Sequence, residues 1–140
     1  IEAERELKKY NVIAEIWSIT SFNELYKDAI EIDRNNRLEI KKSISYVEKC
    51  FSKEMPTIAV SEYIRAYPNQ IREWVNGEYI VLGTDGFGRS DTRSKLRDYF
   101  EISKNHIVLN ALNSLKMKKE SKKYVEANNI KLGKKAPWLK

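Results

Sequence analysis

Residues 79–100 read YIVLGTDGFGRSDTRSKLRDYF, and the fold turns on how that stretch is parsed. The apolar run Tyr79–Leu82 predicts a short buried strand. Gly83, Gly86 and Gly88 mark a turn. Residues 91–100 are amphipathic, with Leu96, Tyr99 and Phe100 on one side, and predict a helix. Strand, glycine loop and helix together make the repeating unit of an α/β fold. The loop, GTDGFGRS, is also one residue from the phosphate-binding pattern G-x-x-x-x-G-K-[ST], with Arg89 in the lysine position.

Four features argue that the loop is a tight turn and not a phosphate cradle. Arg89 replaces a lysine that must fold back over the loop, and the two side chains are not interchangeable. Asp85 places a negative charge inside a cradle meant for anions. Asp91 adds another where phosphate would lie against the helix. The loop follows the last strand, so no later strand supplies an Asp for magnesium. As a turn, the glycines supply positive φ and Ser90 caps the next helix, with Asp91 favourable at its positive end.

Outward from the loop, residues 1–10 predict a helix with Ala3, Leu7 and Tyr10 near one face. It has no start signal and no initiator Met, which suggests a chain entering partway along a helix. Residues 12–19 are mostly β-branched and apolar and predict a buried strand. Ser21-Phe22-Asn23-Glu24 is a capping-box pattern, opening a helix whose apolar face is Phe22, Leu25, Tyr26, Ala29 and Ile32. Residues 33–42 are polar and read as a loop. Asp28 and Asp33, with Lys27 and Arg34 nearby, read as a charged surface.

Tyr46, Val47, Cys50 and Phe51 predict a short helix, ended by Met55-Pro56, and residues 57–60 a second strand. Pro68 suits the first turn of a helix running to Val75, with Ile71, Trp74 and Val75 inward. Asn76-Gly77 is a stop. Ser103 starts a helix with the stripe Ile107, Val108, Ala111, Leu112, Leu115, and a last helix spans about residues 122–128. Strands alternating with helices predict an α/β fold, a three-layer, mainly parallel sheet with helices on both faces. The expected division is a domain over 1–115 and a basic helical tail over 116–140.

Of 140 residues, 41% are hydrophobic and 11% aromatic, enough for a packed core. No apolar run approaches a membrane span, and the charged N-terminus is no signal peptide. One cysteine, Cys50, cannot form an internal disulfide and fits a reducing cytoplasm. The net charge of +6 is concentrated: residues 114–140 hold nine lysines against two acidic residues, so the remainder is about neutral. Such a tail fits nucleic acid or an acidic partner, but almost no aromatics interleave the lysines to stack on bases, which favours a solvated face.

Catalytic chemistry is scarce. His106, the one histidine, falls in the first turn of a helix and reads as a cap-region polar residue. No Cys/His cluster suits zinc. Cys50 lies on an apolar helical face and reads as core. A Ser/His/Asp set would have His106 as its only base. From the residues alone this is an α/β scaffold without a self-contained active site. A nucleotide-binding module and a basic docking or nucleic-acid-binding module are the alternatives.

Three stretches resemble one family: VLGTDGFGRSDTRSKLRDYFEI (81–102), IWSITSFNELYKDA (16–29) and PTIAVSEYI (56–64). In order and spacing they are similar to the C-terminal domain of the homodimeric pyruvate dehydrogenase decarboxylating component, of the transketolase superfamily. The likeness covers roughly residues 3–115 and implies the transketolase C-terminal-domain fold, here without its first strand. Asn35, Glu39-Ile40 and Pro68 depart from the family pattern.

The resemblance also implies a function for a full-length enzyme. That enzyme uses thiamine diphosphate and magnesium to decarboxylate pyruvate, an oxidoreductase step that follows glycolysis. It then acetylates lipoyl groups on the dihydrolipoyl acyltransferase of a multienzyme complex. Such enzymes are cytoplasmic homodimers. Their cofactor and catalytic motifs belong to the other domains, so none maps onto this chain, and the chain alone is expected to bind no cofactor or metal and to be inactive. Asp85, Arg89, Ser90 and Asp91 are the candidates for a structural or interdomain contact at the strand's carboxyl end, where α/β sites cluster.

Overall fold

The computed structural model describes residues 1–139, a mixed α/β arrangement around a small parallel sheet. In chain order the elements are α1 (Glu2–Lys8), α2 (Phe22–Arg37), α3 (Tyr46–Cys50), β1 (Thr57–Val60), α4 (Ala66–Asn69), β2 (Tyr79–Leu82), α5 (Arg93–Tyr99), α6 (Lys104–Ser114) and α7 (Lys118–Ala127). Short 3₁₀ turns cover Arg72–Trp74 and Pro137–Leu139. β1 and β2 pair in parallel, with Thr57 opposite Tyr79 and Val60 opposite Leu82.

The two strands divide the core because successive side chains point to opposite faces. Ala59 and Val81 pack with Ala29, Val47, Ile71, Trp74, Val75 and Tyr79, the cluster built by α2, α3 and the Arg72–Trp74 turn. Ile58 packs toward the other cluster, where α1, α6 and α7 contribute Ala3, Leu7, Val108, Ala111, Leu112 and Tyr124. Tyr10 meets Tyr124 edge-on, with ring centroids 6.0 Å apart.

The expected strand over 12–19 does not form, and the sheet has two strands among the described residues, not three. Val12 and Ala14 are partly buried against the α1/α6/α7 cluster, while Ile13 is 91% exposed. Trp17 leans on Phe51 with ring centroids 5.4 Å apart. β-Branched composition suits a strand, but a ladder needs a neighbour to exchange hydrogen bonds with, and this segment has no such partner among the described residues.

Helix boundaries extend into polar residues whose composition reads as loop. α2 continues through Arg37 because its polar residues make tertiary bonds: Asn36 pairs through both side-chain atoms with the Ser43 backbone at 2.8 and 2.9 Å. Asp28 and Asp33 are not merely a charged surface. Asp28 accepts from the Tyr46 backbone N–H at 2.8 Å, and Asp33 from the Trp74 indole at 3.0 Å.

Ser21 caps the Glu24 N–H at 3.2 Å, yet Glu24 does not reach back; its carboxylate pairs with Lys27 at 2.7 Å. The complete capping box is at α3, where Ser45 and Glu48 bond each other's backbone N–H. Pro68 is buried within α4, with Ile71, Trp74 and Val75 buried beyond it. The stripe of α6 includes Leu109, whereas Leu115 is 41% exposed past the helix end. α7 begins a turn earlier than expected and docks on α6, with Tyr124 buried and Ser121 Oγ donating to Asn113 at 2.6 Å.

Candidate functional site

Because β1 and β2 are parallel, their carboxyl ends open on the same side and the loops that follow them must meet. The Ser61 N–H donates to the Leu82 carbonyl at 3.0 Å, extending the ladder by one rung. The loop after β2 is then bonded to the loop after β1. The Thr84 N–H donates to the Tyr63 carbonyl at 3.0 Å, and the Thr84 hydroxyl to the Glu62 carbonyl at 3.1 Å. This closeness requires a glycine at 83, where a Cβ would stand 2.7 Å from the Tyr63 carbonyl oxygen.

Asp85 turns toward the β1 side. Its Oδ2 accepts from Arg65 Nε at 2.6 Å, and the carboxylate also faces the Arg65 N–H at 3.3 Å. The Arg65 guanidinium lies 3.8 Å from the centroid of the Trp138 ring. Glu62 accepts from Arg93 at 2.7 Å and from Arg97 at 2.7 Å. The hydrogen bonds from Arg93 and then Arg97 hold the Glu62 carboxyl below its ordinary value, outweighing the opposing effect of burial.

Of the four residues singled out from the sequence, Asp85 alone bonds across to the β1 side. Arg89 stacks over the Tyr99 ring at 5.1 Å. Asp91 accepts from the Thr92 N–H at 2.7 Å and pairs with Lys95 at 3.4 Å. Ser90 is exposed and does not cap α5; the N-cap position falls to Thr92, whose side chain makes no capping bond. The shift has a local cause. Asp91 binds the Thr92 N–H itself, so the chain turns there before helical geometry begins.

The same shift bears on phosphate binding. A phosphate loop delivers its anion to the N–H groups of the helix that follows directly. Here residues 89–92 separate the glycines from α5, and the loop's carboxylate is committed to Arg65. His106 lies elsewhere, at the start of α6, with Nδ1 2.9 Å from Ser103 Oγ. Burial lowers its pKa from the usual 6.5. Among the described residues, no group of three or more His, Cys, Asp or Glu side chains could hold a metal ion.

The loops present apolar and charged residues side by side, with Glu62, Arg89, Ser90 and Asp91 all exposed. Phe87, at the loop tip, is 81% exposed, and Tyr63, Ile64, Trp138 and Leu139 are exposed nearby in the chain segments that meet there. Its carboxylates are engaged, Asp85 by Arg65 and Asp91 by Lys95, while Arg89 has the Tyr99 ring as its contact. Arg65, Glu62 and Trp138 were missed from sequence because their partners lie far along the chain. The available signal was the pairing of two short apolar strands, which brings SEYIR and GTDGFGR together.

Comparisons with known proteins follow the same lines. The family model of the transketolase-like TK C-terminal domain matches residues 1–103. The chain is similar to the pyruvate dehydrogenase E1 component of Pseudomonas aeruginosa, at 48% identity over 110 residues, covering 76% of this chain and 12% of that protein. It is 44% identical over 131 residues to the pyruvate dehydrogenase E1 component of Buchnera aphidicola subsp. Acyrthosiphon pisum, covering 91% and 15%. To that of Escherichia coli K12 it is 37% identical over 131 residues, again 91% and 15%. The chain thus spans between 12% and 15% of the length of these curated relatives.

Proposed function

The chain belongs to the transketolase-like C-terminal domain family, and from that premise we propose that it acts as the C-terminal domain of a pyruvate dehydrogenase. The observation that carries this reading is the identity of 37–48% to pyruvate dehydrogenase E1 components over most of this chain. In this reading the activity belongs to a longer polypeptide. That polypeptide decarboxylates pyruvate with thiamine diphosphate and magnesium, acetylates the lipoyl groups of a dihydrolipoyl acyltransferase, and works as a cytoplasmic homodimer. In this reading the cofactor and metal belong to the other domains of that polypeptide, and no step is routed through this chain.

Its own contribution is scaffolding. The domain is taken as residues 1–115 and 116–140 as a basic tail, whose helix α7 packs back onto the domain through Tyr124; a three-layer sheet is completed by a further strand of the longer enzyme. The loop with Asp85, Arg89, Ser90 and Asp91 and its exposed Phe87 packs against neighbouring domains. Among the described residues, no helix is long and apolar enough to cross a membrane.

The test is a chimera. The matching segment of the Pseudomonas aeruginosa enzyme is exchanged for this chain, and pyruvate decarboxylation is assayed beside the isolated 140-residue chain. An active chimera with an inactive isolated chain is the expected result. A soluble, dimeric chimera with no activity sinks the reading.

A further inference from the structure

The 3₁₀ turn Pro137–Leu139 lies against the glycine loop, although α5, α6 and α7 separate the two in sequence. The approach is backbone to backbone. Gly86 has φ +103, and a Cβ there would stand 3.2 Å from the Pro137 carbonyl oxygen and 3.2 Å from Trp138 Cα. Only glycine accepts both that φ and that proximity. On the adjoining side, the Trp138 indole covers the Arg65 guanidinium at 3.8 Å, and the same guanidinium binds Asp85 at 2.6 Å. Carboxylate, guanidinium and indole therefore form one stack that ties three segments together: the loop after β2, the loop after β1, and the chain end.

We infer that the turn Pro137–Leu139 is a releasable clasp that holds the loop 83–90 in place, with Trp138 covering Arg65 as its fastening. The attachment is narrow. Residues 131–135 between α7 and the turn are exposed, and Lys131, Lys134 and Lys135 make no ion pair among the described residues. Gly133 bends this connection at φ +76, and a Cβ there would meet nothing within 4 Å. Pro137 is buried in the closed arrangement, so the clasp has a seat. An ion pair this accessible is weak alone, since the side chains of Arg65 and Asp85 remain 30% and 25% exposed. A flat aromatic cover excludes water from one face of the guanidinium and adds a cation–π attraction that a lysine would not match. Lifting the turn removes that cover and leaves the loop held by the two Thr84 bonds and by an Asp85–Arg65 pair open to water on both faces.

The inference is independent of the pyruvate dehydrogenase reading, since it concerns only contacts within this chain. It is tested by amide hydrogen exchange on the full 140-residue chain. In Trp138→Ala the Thr84 amide should exchange roughly three- to thirtyfold faster, the size of a stacked cation–π contact. The Ile58 and Val81 amides should keep their rates, and chymotryptic cleavage after Phe87 should accelerate in parallel. Trp138→Phe should restore most of the protection. An unchanged Thr84 rate in Trp138→Ala overturns the clasp. Should every amide accelerate because that variant loses its fold, Arg65→Lys decides. It keeps the charge facing Asp85 but removes the stacked plane, and Thr84 must still open faster than the strands or the clasp is overturned.

Discussion

The indole N–H of Trp74 donates to the Asp33 carboxylate at 3.0 Å, joining the Arg72–Trp74 turn to the last third of α2. Trp74 is 8% exposed and belongs to the α2/α3 cluster, with Tyr26 edge-on to it at 5.9 Å. Asp33 thus satisfies a donor that would otherwise be buried without a partner. Asp33→Ala is expected to destabilise the chain by about 1–3 kcal/mol, the cost of orphaning that donor. Trp74→Phe in the Asp33→Ala background should cost less than in the parent chain, because no donor is then left to strand. A urea-denaturation double-mutant cycle with no coupling would refute the assignment.

Gly83 and Gly88, five residues apart in one loop, should respond unequally to the same substitution. A Cβ at 83 would meet the Tyr63 carbonyl oxygen at 2.7 Å and the Arg65 backbone nitrogen at 3.0 Å. Gly83→Ala must therefore push two loops apart and is expected to cost about 1–3 kcal/mol. A Cβ at 88 would meet nothing within 4 Å. Gly88→Ala should stay within about 0.5 kcal/mol of the parent. Equal thermal midpoints for the two variants would contradict the bonding of the loops to each other.

The two serine caps are predicted to rank unequally. Ser45 is buried and caps the Glu48 N–H, while Glu48 returns a bond to the Ser45 N–H at 2.7 Å. Ser21 makes its half of a box only. Ser45→Ala should cost about 2 kcal/mol and Ser21→Ala about 1 kcal/mol. Far-ultraviolet circular dichroism during urea unfolding gives both values, and a reversed order would show that α3 does not depend on its box.

His106 predicts a pH dependence. Burial lowers its folded pKa below the ordinary 6.5, more than the attraction of Glu101 and Asp98 raises it. Below pH 6.5 the unfolded chain therefore binds a proton that the folded chain resists. Its contribution is complete above 6.5 and is lost as pH falls from 6.5 through the folded value. Comparing urea stability of the parent with His106→Asn across pH 5–7.5 should show the parent's extra downward slope vanish in the variant. A parallel pair of curves would remove His106 as its source.

Much of the architecture was readable because it is local. β1, β2 and their limits follow from short apolar runs bounded by Pro56, Gly77 and Gly83. The inward positions Ala3, Leu7, Ile71, Trp74 and Val108 follow from helical spacing. The loop's rejection as a phosphate cradle was also local, resting on Asp85, Arg89 and Asp91. The errors share one cause. Residues 33–37 looked like loop because their polarity was charged to solvent, when Asp33 and Asn36 bond to residues of other segments. Residues 12–19 looked like a strand because their side chains suit one, when strand formation also needs a paired backbone.

Sequence by itself determined the α/β class, the positions of β1 and β2, most helix faces and the family resemblance. Each rests on side-chain periodicity, turn chemistry or a contiguous motif, all carried by neighbours along the chain. The tertiary structure alone decided that Asp85 grips Arg65, that Glu62 gathers Arg93 and Arg97, and that Trp138 closes over the loop. These contacts join residues 20 or more positions apart. No spacing rule connects such positions; they meet because parallel pairing puts both strand ends on one side and packing returns the chain end to them.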